Sequence, residues 1–176
     1  MQDIREIREG NLALSARLKD LCVKKGLRAA TAESLTGGLI SATMVAVSGA
    51  SDYFDRGFTV YNNVAKHEML GVTEETLSSH TEVSGQCVQE MAEGAIARSH
   101  ADIAVAVSGV AGPGPSGGNP AGTVWIGACR RGSPGVARLF HFEGNRDEVR
   151  ESTVQQGLEA LLQCAEGVDP VGFRRS

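Results

Sequence analysis

Thr31-Ala32-Glu33-Ser34-Leu35-Thr36-Gly37-Gly38 lies between two apolar runs, Leu27 to Ala32 and Leu39 to Val47. An apolar run, a Gly-rich turn and a second apolar run read as strand, tight turn and helix. Ser34 then falls at or near the start of the helix. Unpaired backbone N–H groups and the positive end of the helix dipole gather there. That setting suits a nucleophile whose product is an oxyanion, or a bound phosphate. It equally suits a plain cap, because Ser and Thr are preferred at this position. The octapeptide matches neither the Walker phosphate loop nor the G-x-S-x-G elbow. The choice passes to the rest of the chain.

Upstream, Ile4, Ile7, Leu14, Leu18, Leu21 and Cys22 recur at helical spacing. They predict a helix from Ile4 to Lys25, closed by Gly26. Strand one follows at Leu27 to Ala32. The helix after the octapeptide is expected from about Thr36 to Val47, stopped by Ser48-Gly49. Ala50 to Phe54 reads as a turn and Phe58 to Tyr61 as a second strand. Asn62 or Asn63 caps a helix over Val64 to Leu70, closed by Gly71. A short helix follows at Thr73 to Ser79. Ser84 caps a longer one running to about Ser99.

Ile103 to Val107 is a continuous run of small apolar residues, the pattern of a central buried strand. A loop from Ser108 to Pro120 follows, too rich in Gly and Pro for regular structure. Thr123 to Cys129 and Ala137 to Phe142 read as two strands joined by a hairpin loop, Arg131 to Gly135. A final helix spans about Arg146 to Cys164, and the tail to Ser176 is expected to fray. Helices alternate with strands and the chain closes on a hairpin and a helix. The fold class is therefore α/β, with a mostly parallel sheet carrying one antiparallel strand. Ligands of such sheets bind beyond the carboxyl ends of the strands. Both Gly-rich loops follow strands, so they are expected to converge on one pocket.

Composition excludes several classes. The 176 residues suit one domain, 1–176, with a sizeable core. A net charge of −4 lacks the basic excess of a general nucleic-acid binder, and aromatics at 5% offer no stacking platform. Cys22, Cys87, Cys129 and Cys164 form no C-x-x-C pair, and the histidines form no H-E-x-x-H motif, so no metal site is expected. No apolar run reaches the length of a membrane span, and the N-terminus is charged. Reduced thiols in a cytoplasmic protein are the simplest reading.

Three further features bear on chemistry. Gly57-Phe58-Thr59-Val60-Tyr61-Asn62-Asn63-Val64-Ala65-Lys66 ends a strand at Tyr61 and places Lys66 early in the next helix. Each has a bland reading, packing for Tyr61 and solvation for Lys66. The glycine loop after Val107 leaves a central strand, where long loops serve function. In Gly144-Asn145-Arg146-Asp147-Glu148-Val149-Arg150, Asn145 and Glu148 form a capping box. Arg146 then sits against the helix dipole, which a pocket anion or open solvent would explain.

These blocks, taken in order, resemble the CinA C-terminal domain family, whose enzymatic members are nicotinamide-nucleotide amidases. The matching pieces begin with Thr31 to Ser34 and Thr36-Gly37-Gly38, then Gly49-Ala50-Ser51 and Phe54 to Phe58. They continue with Val60-Tyr61-Asn62, Ala65-Lys66 and Leu70-Gly71-Val72, and finish with Ser108 to Pro113, Pro120 to Trp125 and Gly144 to Asp147. The resemblance runs from about Leu12 to Leu162. It implies a three-layer α/β/α sandwich with a mixed five-stranded sheet. It also implies hydrolysis of the carboxamide of nicotinamide mononucleotide to nicotinic acid mononucleotide and ammonia, in pyridine nucleotide recycling. In family terms Ser34 is the nucleophile, Lys66 its base and Tyr61 a neighbour in the catalytic group. Ser108 and Arg146 then look like ligand-binding residues.

Leu35 stands where many members have Cys, so no thiol there can be the nucleophile. Some members carry an additional N-terminal domain, and this chain is expected to be the stand-alone form.

The residues are coherent with this chemistry. A serine attacking an amide needs a base, and a lysine serves only if its pKa is lowered. His67 adjoins Lys66 and points elsewhere on a helix, which disfavours a Ser-His-Asp triad. Backbone N–H groups near Thr36, Gly37 and Gly38 are the expected oxyanion hole. The Gly109 to Gly112 loop, with Arg146, is the expected phosphate site. Expected partners are a small-molecule nucleotide and further copies of the same chain, with no cofactor, nucleic acid or membrane. Two other readings stay open: a non-catalytic nucleotide-binding or regulatory module, and a Ser-Lys amidohydrolase for another amide.

Overall fold

In the computed structural model, which describes residues 3–176, the run after Asp3 does form a helix. It is α1, Ile4–Lys25, capped by the Asp3 side chain and closed by Gly26 in the left-handed conformation. The chain continues through β1 (Ala29–Glu33), α2 (Leu39–Val45), a 3₁₀ turn (Ala50–Asp52), β2 (Phe54–Thr59), α3 (Asn63–Leu70) and α4 (Glu74–Ser79). It ends with α5 (Gly85–Ala97), β3 (Ile103–Gly109), β4 (Thr123–Arg130), β5 (Val136–His141) and α6 (Arg146–Glu166).

The strands form one five-stranded sheet in the order β2-β1-β3-β4-β5. β1 pairs in parallel with both β2 and β3. β4 runs antiparallel to β3 and to β5, so it is the one reversed strand. The sheet is thus mixed and mostly parallel in direction, as expected.

Strand periodicity divides the core into two layers. Ile103, Val105 and Val107 of β3, with Val124, Ile126 and Ala128 of β4, pack with α1, α2 and α6. Ala104 and Ala106 of β3, with Ala30 and Ala32 of β1, face the opposite way, toward α3 and α5. The alanines let α5 lie close to the sheet. At Gly127 the approach is tighter still, because an added Cβ would stand 2.4 Å from the Val88 carbonyl oxygen of α5.

Three of the boundaries that differ from expectation bear on the site or on the sheet edge. β2 begins at Phe54 and ends at Thr59, so Tyr61 lies beyond the strand. Here pairing with β1 decides the register, overriding local apolar content. α2 begins at Leu39, because the preceding turn spends Gly37 and Gly38 at positive φ. The tail does not fray: Arg174 and Ala137 exchange both backbone hydrogen bonds at 2.7 and 2.9 Å. Phe173 stacks edge-on to Phe140, and the exposed edge of β5 is thereby covered.

The helices after β1 and β2 lie on opposite faces of the sheet. Their loops diverge at the carboxyl edge and open a crevice there, the usual ligand position in such sheets.

Candidate active site

Ser34 is the first residue beyond β1. Its N–H donates to the Val107 carbonyl of β3 at 3.0 Å, which ties the turn to the neighbouring strand end. Its side chain is 7% exposed.

Lys66 reaches the same point from α3, a helix capped by Asn62 through the Ala65 N–H at 2.8 Å. Its Nζ donates to the Ser34 Oγ at 3.1 Å and to the Val60 carbonyl at 3.2 Å. Lys66 is 1% exposed. Among the described residues it has no carboxylate ion pair. Burial holds its pKa below that of an ordinary lysine, against the opposing pull of Cys87 and Glu82. A buried amine without a counter-ion gives up its proton more readily than an exposed one, and its neutral form can accept a proton. In that form the hydrogen bond to Ser34 runs the other way, with the hydroxyl donating.

These two groups open on a cavity of about 270 Å³. Its wall also includes Leu35, Tyr61, Glu82, Ser108, the loop Gly109 to Ser116, and Arg146. The volume suits a small molecule and not a polymer. Tyr61 stands 65% exposed at the rim, and its hydroxyl makes no hydrogen bond to Ser34 or Lys66. Ser108 ends β3, is buried, and donates its Oγ to the Glu82 carbonyl at 2.6 Å. Arg146 is exposed and donates to the Gly112 carbonyl at 2.6 Å, so one guanidinium spans from α6 to the glycine loop. The capping box of Asn145 and Glu148 is present and starts α6 at Arg146.

Gly109 and Gly112 both line the cavity, for different reasons. An added Cβ at Gly109 would meet the Thr123 carbonyl oxygen at 2.4 Å, so the close neighbour is strand β4 and not a ligand. Gly112 has φ +91, which permits the loop to turn.

Thr36, Gly37 and Gly38 are placed differently from expectation. They do not line the cavity. The Gly37 N–H donates to the Ser34 carbonyl at 3.0 Å. The Gly38 N–H and the Thr36 hydroxyl donate to the Glu33 carboxylate at 3.1 and 2.7 Å. The expected oxyanion hole at these residues is therefore corrected: the Gly37 and Gly38 N–H groups and the Thr36 hydroxyl are already used, and the Thr36 N–H, though unspent, is not on the cavity wall. The acceptor is a buried carboxylate at the end of an apolar strand, a signal legible in sequence once a cluster of N–H groups is expected seven or eight residues on. Arg150 was equally unmarked, although it lies on the same helix face as Arg146 at i+4. Glu82 sits in a turn with no motif to flag it.

Burial pushes the Cys87 thiol up to about 12, so it stays protonated and inert. The His67 ring is engaged at Nδ1 with the Val72 carbonyl at 2.8 Å, away from Ser34. Among the described residues no three His, Cys, Asp or Glu are grouped to hold a metal ion. No helix among them is long and apolar enough to cross a membrane.

The class defined by this geometry is a mixed-sheet α/β protein with a buried Ser–Lys pair at the carboxyl edge of its parallel strands. The chain belongs to the CinA C-terminal domain family, whose model matches residues 11–165. The nicotinamide-nucleotide amidohydrolase PncC of Escherichia coli K12 is 41% identical over 153 residues, 86% of this chain and 93% of that protein. The crystal structure of competence/damage inducible protein CihA from Agrobacterium tumefaciens superposes with a TM-score of 0.85 at 39% identity, covering 89% of this chain and 96% of that one. A CinA-like protein of Akkermansia muciniphila is 46% identical over 142 residues, 79% of this chain, which is 34% of the relative's length.

Proposed function

We propose that this protein hydrolyses the carboxamide of nicotinamide mononucleotide to nicotinic acid mononucleotide and ammonia, with Ser34 as nucleophile and Lys66 as base. The observation that carries the reading is the 3.1 Å contact between the Ser34 hydroxyl and a buried lysine with no carboxylate partner among the described residues. The relative named nicotinamide-nucleotide amidohydrolase, matched over nearly its whole length, supports the substrate.

Neutral Lys66 takes the Ser34 proton as Oγ attacks the amide carbon, forming a tetrahedral oxyanion. Lys66 then returns that proton to the amide nitrogen, and the C–N bond breaks to release ammonia and leave an acyl-serine. Water attacks this ester, giving its proton to Lys66. Collapse restores Ser34 with that proton and frees the carboxylic acid.

Arg146 and the Gly109 to Gly112 loop hold the phosphate, and Ser108 supports the loop wall through Glu82. Tyr61 forms an aromatic rim against the ring. Four buried free thiols suit a reducing compartment, so we place the protein in the cytoplasm. The test is ammonia release from nicotinamide mononucleotide by the purified protein, with Ser34→Ala in parallel. Release from other carboxamides but not from this nucleotide would reassign the substrate.

A further inference from the structure

The turn that carries Ser34 is held from both sides by groups outside the cavity. The Glu33 carboxylate is 1% exposed. It accepts at Oε2 from the Thr36 hydroxyl (2.7 Å), the Gly38 N–H (3.1 Å) and the Ile40 N–H (2.9 Å). It accepts at Oε1 from the Ser41 N–H and hydroxyl, both at 2.8 Å. From the other side Arg150 donates its Nε to the Leu35 carbonyl at 3.1 Å and an Nη to the Thr36 carbonyl at 2.9 Å.

Buried backbone groups are almost all paired, so each can be followed to its partner. Ser34 N–H goes to Val107, Gly37 N–H to Ser34 and Leu39 N–H to Thr36. Gly38, Ile40 and Ser41 go to Glu33. Leu35 and Thr36 are left as the residues of this turn whose N–H groups find no acceptor among the described residues. Of these two, Leu35 lines the cavity, next to Ser34.

The direction of the Leu35 N–H is fixed. It shares a planar trans peptide with the Ser34 carbonyl, which is held by the Gly37 N–H. The next peptide plane is held by Arg150 through the Leu35 carbonyl. Leu35 thus lies between two fixed planes with its N–H unspent.

We infer that the Leu35 N–H is an oxyanion donor for reaction at Ser34, and that Glu33 and Arg150 are positioning residues that keep it unpaired and aimed. This rests on the amidase reading for its substrate but not for its geometry. Glu33 absorbs the donors that would otherwise compete for a nearby acceptor. Arg150 absorbs the carbonyls that would otherwise turn toward the Leu35 N–H. A donor preorganised in this way stabilises charge that develops only in the transition state.

Arg150→Ala is the test, since the residue is half-buried at the surface and its loss leaves the core intact. It is measured with nicotinamide mononucleotide and with the thioamide analogue, whose sulfur is a poorer hydrogen-bond acceptor. The expected result is a fall in kcat of about a hundredfold on the amide, the loss seen when an oxyanion donor is removed or a reacting group is displaced by about 1 Å. KM stays within about threefold. The amide-to-thioamide ratio of kcat shrinks by about tenfold, because the variant no longer rewards the oxygen. Arg150→Lys recovers part of both effects, and Glu33→Gln reproduces the loss.

A merely structural role lowers both substrates together and leaves the ratio unchanged, and that result overturns the inference. So does unchanged kcat in Arg150→Ala. A fluorophosphonate probe supplies the arm that does not depend on the natural substrate. If wild-type protein is labelled at Ser34 but releases no ammonia from the nucleotide, the substrate reading fails alone. The inference then stands or falls on whether Arg150→Ala slows labelling by about tenfold or more. Absence of labelling in the wild type overturns both.

Discussion

Replacing Lys66 with arginine fixes a permanent cation at the bottom of the cavity and removes the base. Lys66 is almost fully buried, contacts Ser34 Oγ at 3.1 Å and has no carboxylate partner among the described residues. A guanidinium stays protonated at any working pH, so it cannot accept the Ser34 proton. Positioned general bases contribute 10²- to 10⁴-fold, which is about 3–5 kcal/mol of barrier. Lys66→Arg should lose kcat by about that factor, and the neutral Lys66→Met should lose it equally. The two differ in stability. Arginine buries a permanent unpaired charge and lowers Tm, whereas methionine gives up only the hydrogen bonds to Val60 and Ser34.

The pH profile supplies a second reading of the same group. The active form of Lys66 is the neutral one. Activity therefore rises with pH as Nζ loses its proton and levels off above that pKa. Burial places this limb below the range of an exposed lysine. Steady-state kinetics of ammonia release across pH, on wild type and both variants, is the assay. If Lys66→Arg keeps more than about a tenth of kcat and changes mainly KM, Lys66 is an electrostatic clamp for the phosphate and the base assignment is wrong.

Ser34→Ala should abolish turnover by several orders of magnitude while the nucleotide Kd, measured by calorimetry, stays within a few-fold, because the cavity walls and Arg146 remain. Arg146→Ala should raise KM for the nucleotide about tenfold or more and scarcely alter that for nicotinamide, which has no phosphate; equal effects on both would remove Arg146 from the phosphate site. Gly109→Ala should lower Tm, since its Cβ would stand 2.4 Å from the Thr123 carbonyl oxygen and β3 and β4 must part to admit it. Overpacking of that kind costs about 1–3 kcal/mol, read from chemical denaturation, and an unchanged midpoint would show that the strands yield freely.

Several features were decided by residues close together in the chain, and these were legible without coordinates. The periodic face of α1 and its Gly26 stop, the Asn145–Glu148 box and the apolar run of β3 all depend on contacts within a few residues. So did the α/β class, because strand and helix periodicities alternate along the chain. Ser34 and Lys66 were singled out as residue types in suggestive places, but their contact joins positions 32 apart and depends on β1 and β2 pairing in parallel.

The order of the tail is equally hidden from local sequence. Its partner is β5, and nothing in residues 167–176 alone announces an edge to cover. The most consequential difference lies inside the opening octapeptide. Local reading offers Thr36, Gly37 and Gly38 as free donors at a helix start, and tertiary structure spends the Thr36 hydroxyl and the Gly38 N–H on Glu33 and the Gly37 N–H within the turn. Sequence determines which donors and acceptors exist. Which of them remain unpaired is settled only when the strand ends, α2 and α6 come together, because a hydrogen bond is a property of the pair and not of either residue.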